Sequence, residues 1–350
     1  MKPQPTRVLT SLSGSAALAA LVMLGAAAHG QAQAPAAAAP AQTAALQTVR
    51  VISFGGVPTM PLRVAAAQGT FAKYGLDVVT EFTPNSTVLR EGLAAGKYDV
   101  AHAAVDNAVA MVETDHADAV ILMGSDDSMT ELIVQPTIGS AADLRGKTVA
   151  VDAPNTAYAL QLRKILLMNG LTGTDYTMKV VGGTPQRLQA MIDDKTNAAA
   201  MLNPPYSIQA KVAGLKSLGS AAKLIGAYQG VGAFVMRTWA NGHRDTVVKY
   251  LAAYVEALRW FLAPANKVQA IAMLTADLKL TPEVAAEAYA RAVAAPGGLV
   301  PDARLDVAGL ANVLKLRAEI EHQWNGVPPP PGRYYDPSYH DAALARLAGR

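Results

Sequence analysis

Short apolar runs of strand type alternate with helical patterns through the first two thirds of the chain, and this alternation limits the fold most. The predicted strands lie at 49–54, 76–82, 100–104, 120–123, 130–134, 148–151, 178–181 and 198–202. The predicted helices lie at 61–68, 88–95, 108–114, 156–169, 185–193 and 204–212. Strands separated by helices of this size indicate βαβ units and parallel strand pairing. The sequence therefore predicts an α/β fold.

The alternating pattern starts a second time after Leu144-Arg145-Gly146, which predicts the same architecture built twice. Helices alone follow from residue 241, and the tail "VPPPPGRYYDPSY" is predicted to lie extended on the surface. We expect these late helices to complete the first lobe, so that the chain crosses between lobes twice, near 132–136 and 232–237. Two adjacent crossing strands would form a hinge. The predicted lobes are 49–134 with 238–350, and 135–237.

The N-terminus has the features of an export signal. Lys2 and Arg7 precede an apolar stretch at 8–28, and Ala32-Gln33-Ala34 offers a cleavage site. This order predicts a signal peptide at 1–34, followed by a disordered Ala/Pro/Gln-rich leader at 35–48. A membrane anchor is the alternative, but serines and glycines dilute a stretch that is already short for a span. We expect a soluble periplasmic protein without a lipid anchor, since the chain has no cysteine.

Composition excludes several classes of function. After removal of Lys2 and Arg7, 28 basic and 27 acidic residues remain, and the basic residues form no block. This distribution argues against nucleic-acid binding. The lack of cysteine excludes disulfides, thiolate metal sites and a thiol nucleophile. The six histidines have no metal-binding spacing, and no serine lies in a G-x-S-x-G elbow. We therefore expect neither a metal nor a cofactor.

Four segments resemble the SsuA/THI5-like, or NMT1-type, periplasmic substrate-binding proteins of ABC transporters. They occur in the expected order and cover roughly 48–260: "VPTMPLRVAAAQGTFAKYGLDV" (57–78), "LREGLAAGKYDVAHAAVDNAVAM" (89–111), "DLRGKTVAVDAPNTAYAL" (143–160) and "NPPYSIQAKVAGLKSLG" (203–219). The resemblance implies a type II periplasmic-binding-protein fold, with two α/β lobes joined by a two-strand hinge. It also implies delivery of a ligand to an inner-membrane ABC permease with its ATPase. Family ligands include sulfonates, taurine, nitrate, aromatic acids and pyrimidine precursors.

The candidate binding residues follow the predicted strands. Ligands of open α/β sheets lie outside the carboxyl ends of the strands, where helix N-termini present free N–H groups to anionic oxygens. The candidates are Thr59, Met60, Ser86, Thr87, Asp106, Asn107, Asn155, Thr156, Thr184, Arg187, Asn203, Pro204 and Tyr206.

Each candidate also has an ordinary structural interpretation. Asn155 and Thr156 could contact ligand or merely cap a helix, which stabilises it by about 1 kcal/mol. A free Asp106 carboxylate in the cleft would repel an anion and suit an amine or a ring N–H. Arg187 and Arg237 could each pair with a carboxylate or sulfonate.

The leading hypothesis is a monomeric, non-enzymatic solute receptor for a small organic anion such as a sulfonate or carboxylate. A binder of a pyrimidine-like heterocycle is the alternative. An enzyme on the same fold is disfavoured, because the pyrimidine synthases of the resembled family use a cysteine-rich iron motif. A sensor that acts on a membrane receptor instead of a permease stays open.

Overall fold

The computed structural model of the protein describes residues 45–349. The predicted signal peptide and most of the predicted leader lie outside these residues. The first strand begins at Gln47, two residues before the predicted start at Val49. No helix within the described range is long and apolar enough to cross a membrane.

The strands form two five-stranded sheets. In chain order they are β1 (Gln47–Ser53), β2 (Leu76–Phe82), β3 (Val100–Ala104), β4 (Ala119–Gly124), β5 (Glu131–Val134), β6 (Thr148–Val151), β7 (Thr177–Val180), β8 (Asn197–Leu202), β9 (Lys216–Ser220) and β10 (Val231–Met236). The first sheet has the order β2-β1-β3-β10-β4, and the second has the order β7-β6-β8-β5-β9. The prediction that one architecture is built twice is therefore confirmed.

Strand direction differs from the prediction in one respect. The strands β2, β1 and β3 pair in parallel, as do β7, β6 and β8. The fourth strand of each sheet, β10 or β5, instead runs antiparallel to both of its neighbours. Each of these two strands enters its sheet directly from the other half of the molecule, without a crossover helix that would make it parallel.

Helices cover both sheets. They are α1 (Met60–Ala67), α2 (Thr70–Lys73), α3 (Ser86–Ala94), α4 (Asp106–Glu113), α5 (Ala157–Met168), α6 (Thr184–Asp193), α7 (Tyr206–Val212), α8 (Ala221–Ile225), α9 (Arg237–Gly242), α10 (Arg244–Leu262), α11 (Lys267–Leu278), α12 (Pro282–Ala292), α13 (Val307–Ile320) and α14 (Ser338–Ala348). Helices α5 to α8 pack on the second sheet, and α1 and α10 share the largest apolar core of the first. We call each sheet with its helices a lobe.

Helix α10 packs into the core of the first lobe. Twelve of its nineteen residues are buried, including Tyr250, Tyr254 and Phe261. A helix that is apolar over so much of its surface requires several packing partners. Its partners are α1, α2 and α14, and it contributes the centre of the first core.

The crossings between lobes lie earlier than predicted. The boundary at 134 and 135 would leave β5 in the first lobe, but β5 pairs only with β8 and β9. Likewise β10, which includes most of the predicted return crossing, lies wholly in the first sheet. The connections between sheets are therefore the loops at 125–130 and 226–230, and we propose these as the lobe boundaries.

The tail is less extended than predicted. Its proline-rich part passes the first sheet, where the Ile121 amide donates to the Tyr334 carbonyl (2.8 Å) and the Asp336 amide donates to the Ile121 carbonyl (3.1 Å). The chain then forms α14, which packs against α10. The prolines obscured this helix, because Pro337 directly precedes its first turn, where proline is tolerated.

Candidate ligand-binding site

A cavity lies between the two sheets, at the carboxyl ends of β1, β3, β6 and β8. The volume of this cavity is about 50 Å³. Its lining comes from both lobes: Phe54, Gly55, Pro58, Thr59, Ser86, His102, Ala103, Ala104, Asn107, Asp152, Thr156, Ala157, Tyr158, Gly183, Thr184, Arg187, Asn203 and Val231. This is the position at which open α/β sheets bind ligands.

Seven of the candidates named from the sequence meet in this cavity. They are Thr59, Ser86, Asn107, Thr156, Thr184, Arg187 and Asn203. All seven are buried. Whether they bind a ligand stays a prediction, but their convergence makes this the candidate site.

Asp152 organises the second-lobe wall of the cavity. Its carboxylate accepts hydrogen bonds from the hydroxyls of Ser86 (2.7 Å) and Thr156 (2.5 Å) and from the Ala153 amide (2.9 Å). Ser86 begins α3 of the first lobe, so its bond joins the lobes directly. Thr156 precedes α5, yet its side chain makes no capping bond to a helix amide. The interpretation of Thr156 as a mere cap is therefore wrong.

Arg187 is a buried cation on the same wall. Its Nη1 donates to the Gly182 carbonyl (2.7 Å), and its Nη2 donates to Thr184 Oγ1 (3.0 Å) and to the Met201 carbonyl (3.3 Å). Its Nε–H has no hydrogen-bond partner within the described chain. Burial lowers the pKa of Arg187, which the nearby Asp152 carboxylate partly offsets. Because the remaining donor is buried and unused, a bound oxygen atom would satisfy it.

The first-lobe wall carries His102 and Asn107. His102 Nε2 lies 2.7 Å from the Tyr250 hydroxyl, and its ring stacks on Tyr254 with 5.0 Å between centroids. Burial lowers the pKa of His102 to about 3, so the imidazole is neutral at physiological pH. The charged side chains of the lining are then Asp152 and Arg187, whose formal charges cancel. In residues 45–349, no cluster of three or more His, Asp or Glu side chains could hold a metal ion.

Asp106, one of the remaining candidates, forms a buried ion pair instead of facing the cavity. Its carboxylate accepts from Arg317 Nε (2.5 Å) and Nη2 (3.0 Å), and both side chains are fully buried. Arg317 lies on α13, 211 residues away. The concern that a free Asp106 carboxylate would repel an anion therefore does not apply.

Five more candidates lie outside the cavity lining. Met60 is buried in the core of the first lobe, and Thr87 is exposed on α3. The Asn155 carbonyl accepts a hydrogen bond from Arg317 Nη2 (3.0 Å). The Pro204 carbonyl accepts one from the Val57 amide (3.3 Å). Tyr206 begins α7 beside the cavity. Their positions in the sequence do not show the direction in which each side chain points.

Arg237, the other arginine considered, also lies elsewhere. Its Nε donates to Asp118 Oδ1 at 3.1 Å, outside the cavity. Of the two arginines, only Arg187 lines the site.

Most of the lining residues that are not among the sequence candidates are apolar. The exceptions include His102 and Asp152, which the sequence analysis does not name as binding residues. Phe54 and Tyr158 add aromatic rings. Phe54 directly follows β1, so its place after the carboxyl end of that strand could have identified it, whereas His102 is the third of the five residues of β3.

The lobes touch each other at the rim of the cavity. The Gly183 amide donates to the Pro84 carbonyl (2.9 Å), and a Cβ added to Gly56 would lie 3.3 Å from the Pro204 carbonyl. Gly56 has a φ of +136°, which side-chain-bearing residues rarely adopt. Close approach of the two backbones therefore requires glycine at this position.

Asp126 joins the two loops that connect the lobes. Its carboxylate accepts from the Val231 amide (2.9 Å) and the Met129 amide (3.2 Å). Burial raises the pKa of Asp126 to about 7. The negative charge of the neighbouring Asp127 also raises this pKa, whereas the hydrogen bonds from backbone amides lower it. The folded protein therefore holds this proton across a range in which the unfolded chain, with a pKa near 3.8, has lost it.

This linkage predicts a pH-dependent loss of stability. Between these two pKa values the folded state binds one more proton at Asp126 than the unfolded chain does. The contribution of Asp126 to the free energy of unfolding therefore falls by roughly 2 to 4 kcal/mol from pH 4 to pH 8. Buried His102 acts in the opposite direction below pH 6.5. The measurement is therefore the difference between wild type and Asp126→Asn in urea denaturation at several pH values. Parallel curves for the two proteins would contradict the assignment.

Solved structures similar to this chain share its architecture. The periplasmic nitrate-binding protein NrtA from Synechocystis PCC 6803 matches with a TM-score of 0.72 and 16% identity, over 87% of this chain and 90% of that one. The alkanesulfonate-binding protein SsuA from Xanthomonas axonopodis pv. citri, bound to MOPS, matches with a TM-score of 0.68 and 17% identity, over 83% and 98%. Together with the two sheets, these likenesses confirm the type II periplasmic-binding-protein fold.

Sequence comparison adds a family. A Brachyspira hyodysenteriae protein whose name describes an ABC transporter periplasmic binding protein is 27% identical over 228 residues. The match covers 60% of this chain and 64% of the length of that protein. The model of the NMT1-like family matches residues 43–275, about two thirds of the chain. The sequence therefore belongs to the NMT1-like family.

Proposed function

We propose that this protein is the solute-binding component of an ABC importer, and that its two lobes trap a small organic acid. The observation that carries the proposal is the cavity between the sheets, lined by the first turns of α3, α4, α5 and α6 and by buried Arg187. Helix N-termini and an unused guanidinium N–H favour a carboxylate or sulfonate oxygen. Arg187 and Thr184 would contact the acidic group, since the Thr156 hydroxyl already donates to Asp152.

Cavity size favours a compact ligand, since the volume is only about 50 Å³. An acid of two or three carbon atoms is the size that we propose. A pyrimidine-like ring, the second candidate, is favoured by the aromatic side chains of Phe54 and Tyr158 but requires the lobes to move apart.

The hydrogen bonding of the lining supports a binding role without catalysis. The hydroxyls of Ser86 and Thr156 both donate to Asp152, and His102 bonds to Tyr250. A nucleophilic hydroxyl requires a base as its hydrogen-bond partner, usually histidine. Ser86 and Thr156 share one carboxylate and neither pairs with a histidine, which favours a receptor over a hydrolase of the Ser-His-Asp type.

The proposed setting is the periplasm, with export by the signal at 1–34. The partners would be an inner-membrane permease and its ATPase, which would recognise the paired lobes of a monomer. The family and the name of the B. hyodysenteriae relative support this setting. Fractionation of expressing cells tests it, because an exported protein would appear in the osmotic-shock fluid and lack its first 34 residues.

A thermal-shift screen tests the ligand class. We expect ethanesulfonate, propionate or one of their 2-hydroxy, 2-amino, 3-hydroxy or 3-amino derivatives to raise the melting temperature. At a hundred times Kd the stabilisation is about 2.7 kcal/mol, or about 5 °C for a chain of this size. Uracil serves as the heterocyclic comparison. Stabilisation by uracil alone would support the second candidate and contradict the first.

A further inference from the structure

The two lobes contribute different polar groups to the cavity lining. In the second lobe, Arg187 offers a hydrogen-bond donor, as the proposed acid requires. In the first lobe, Asn107 and His102 are 3% and 0% exposed, and each has one polar atom without a partner in the described chain. These atoms, Asn107 Oδ1 and His102 Nδ1, are the basis of the inference.

The orientation of Asn107 is fixed by its other atom. Its Nδ2 donates to the Ala104 carbonyl at 3.2 Å. Rotating the amide by half a turn would bring Oδ1 against that carbonyl, so two acceptors would face each other. Oδ1 is therefore the free atom, and as a carbonyl oxygen it can only accept a hydrogen bond.

His102 adapts to the group that it meets. Its neutral ring carries one N–H, and Nε2 bonds to the Tyr250 hydroxyl. That hydroxyl can either donate or accept, so either tautomer satisfies it. Nδ1 can consequently accept from an amine, or donate to the oxygen of a hydroxyl.

We propose that the ligand carries, opposite its acidic group, a hydroxyl or amine that donates to Asn107 Oδ1 and bonds to His102 Nδ1. This inference rests on the proposed function, since the acidic group defines the other end. The two anchors lie on different lobes, Asn107 at the start of α4 and Arg187 in the first turn of α6. A ligand with both groups therefore bridges the lobes, whereas a plain acid leaves the buried acceptor of Asn107 unsatisfied.

Matched acids test this subsite by calorimetric titration. The probes are ethanesulfonate with its 2-hydroxy and 2-amino derivatives, and propionate with its 3-hydroxy and 3-amino derivatives. For wild type we expect a donor-bearing acid to bind about 10- to 100-fold more tightly than its plain analogue. In Asn107→Ala we expect this ratio to fall to within about threefold, with the affinity for the plain acid nearly unchanged.

The control variant is Thr87→Ala, an exposed site on α3 outside the cavity, which should keep the wild-type ratio. Asn107→Leu retains the side-chain volume and replaces Asn107→Ala if the latter does not fold. Equal weakening of every acid by the Asn107 variants would mean a general structural role and overturn the inference alone. Failure of every acid to bind wild type would overturn the proposed ligand class, and the inference with it.

Discussion

Replacing Asp106 with alanine is expected to lower the free energy of unfolding by about 3 to 5 kcal/mol, because it leaves the Arg317 charge buried and unpaired. Both side chains are shielded from solvent, and two hydrogen bonds join them. Arg317 also donates to the Asn155 carbonyl, so the pair links α4, α13 and the loop before α5. Urea denaturation of the purified variant measures the change.

The control is an exposed ion pair. Asp245, whose side chain is 68% exposed, pairs with Lys249 at 2.6 Å and with Arg346 at 3.3 Å. Exposed pairs of this kind contribute less than about 1 kcal/mol each, so Asp245→Ala should have a much smaller effect. The double change Asp106→Leu with Arg317→Met should recover most of the lost stability, because it removes both charges. If Asp106→Ala destabilised the protein no more than Asp245→Ala, the pair would not have the role assigned to it.

Replacing Arg187 with lysine is expected to weaken acid binding by roughly 100-fold. An ammonium group has no Nε–H in the guanidinium plane and cannot also maintain the bonds to Gly182, Thr184 and Met201. The positive charge remains, so the loss would report geometry and not charge alone. Calorimetric titration with whichever acid stabilises the wild type gives the two values of Kd.

Arg237→Lys provides the matched control, since Arg237 pairs with Asp118 away from the cavity. It should bind the acid as wild type does. Unchanged acid affinity in Arg187→Lys would mean that the acidic group lies elsewhere. Arg187 would then be a structural residue that fastens the start of α6.

The fold was largely predictable because its signals are local. The bounds of β2, β3 and β6 match the predicted strands, since apolar runs between glycine-ended helices leave little ambiguity. The strand that was not predicted and the two strands assigned to the wrong place have a common cause. Strand β9, "KSLGS", has no apolar run, and neither β5 nor β10 shows in its own residues which sheet it joins. Sheet membership depends on contacts between distant segments.

The site was predictable as a set of loops, but not residue by residue. Ser86 and Thr87 are neighbours, yet Ser86 faces the cavity and Thr87 faces solvent, because successive helical residues point about 100° apart. Asn85, not Ser86, caps α3 by accepting from the Val88 amide. The Asp106 ion pair spans 211 residues, a distance over which no local pattern carries information.

Calorimetric titration of wild-type protein with the ethanesulfonate and propionate series tests most directly whether the cavity between the lobes traps a small organic acid. We expect at least one acid to bind with one-to-one stoichiometry and a Kd of roughly micromolar or below. If none of these acids bound at millimolar concentration, the protein would not be a receptor for a small organic acid.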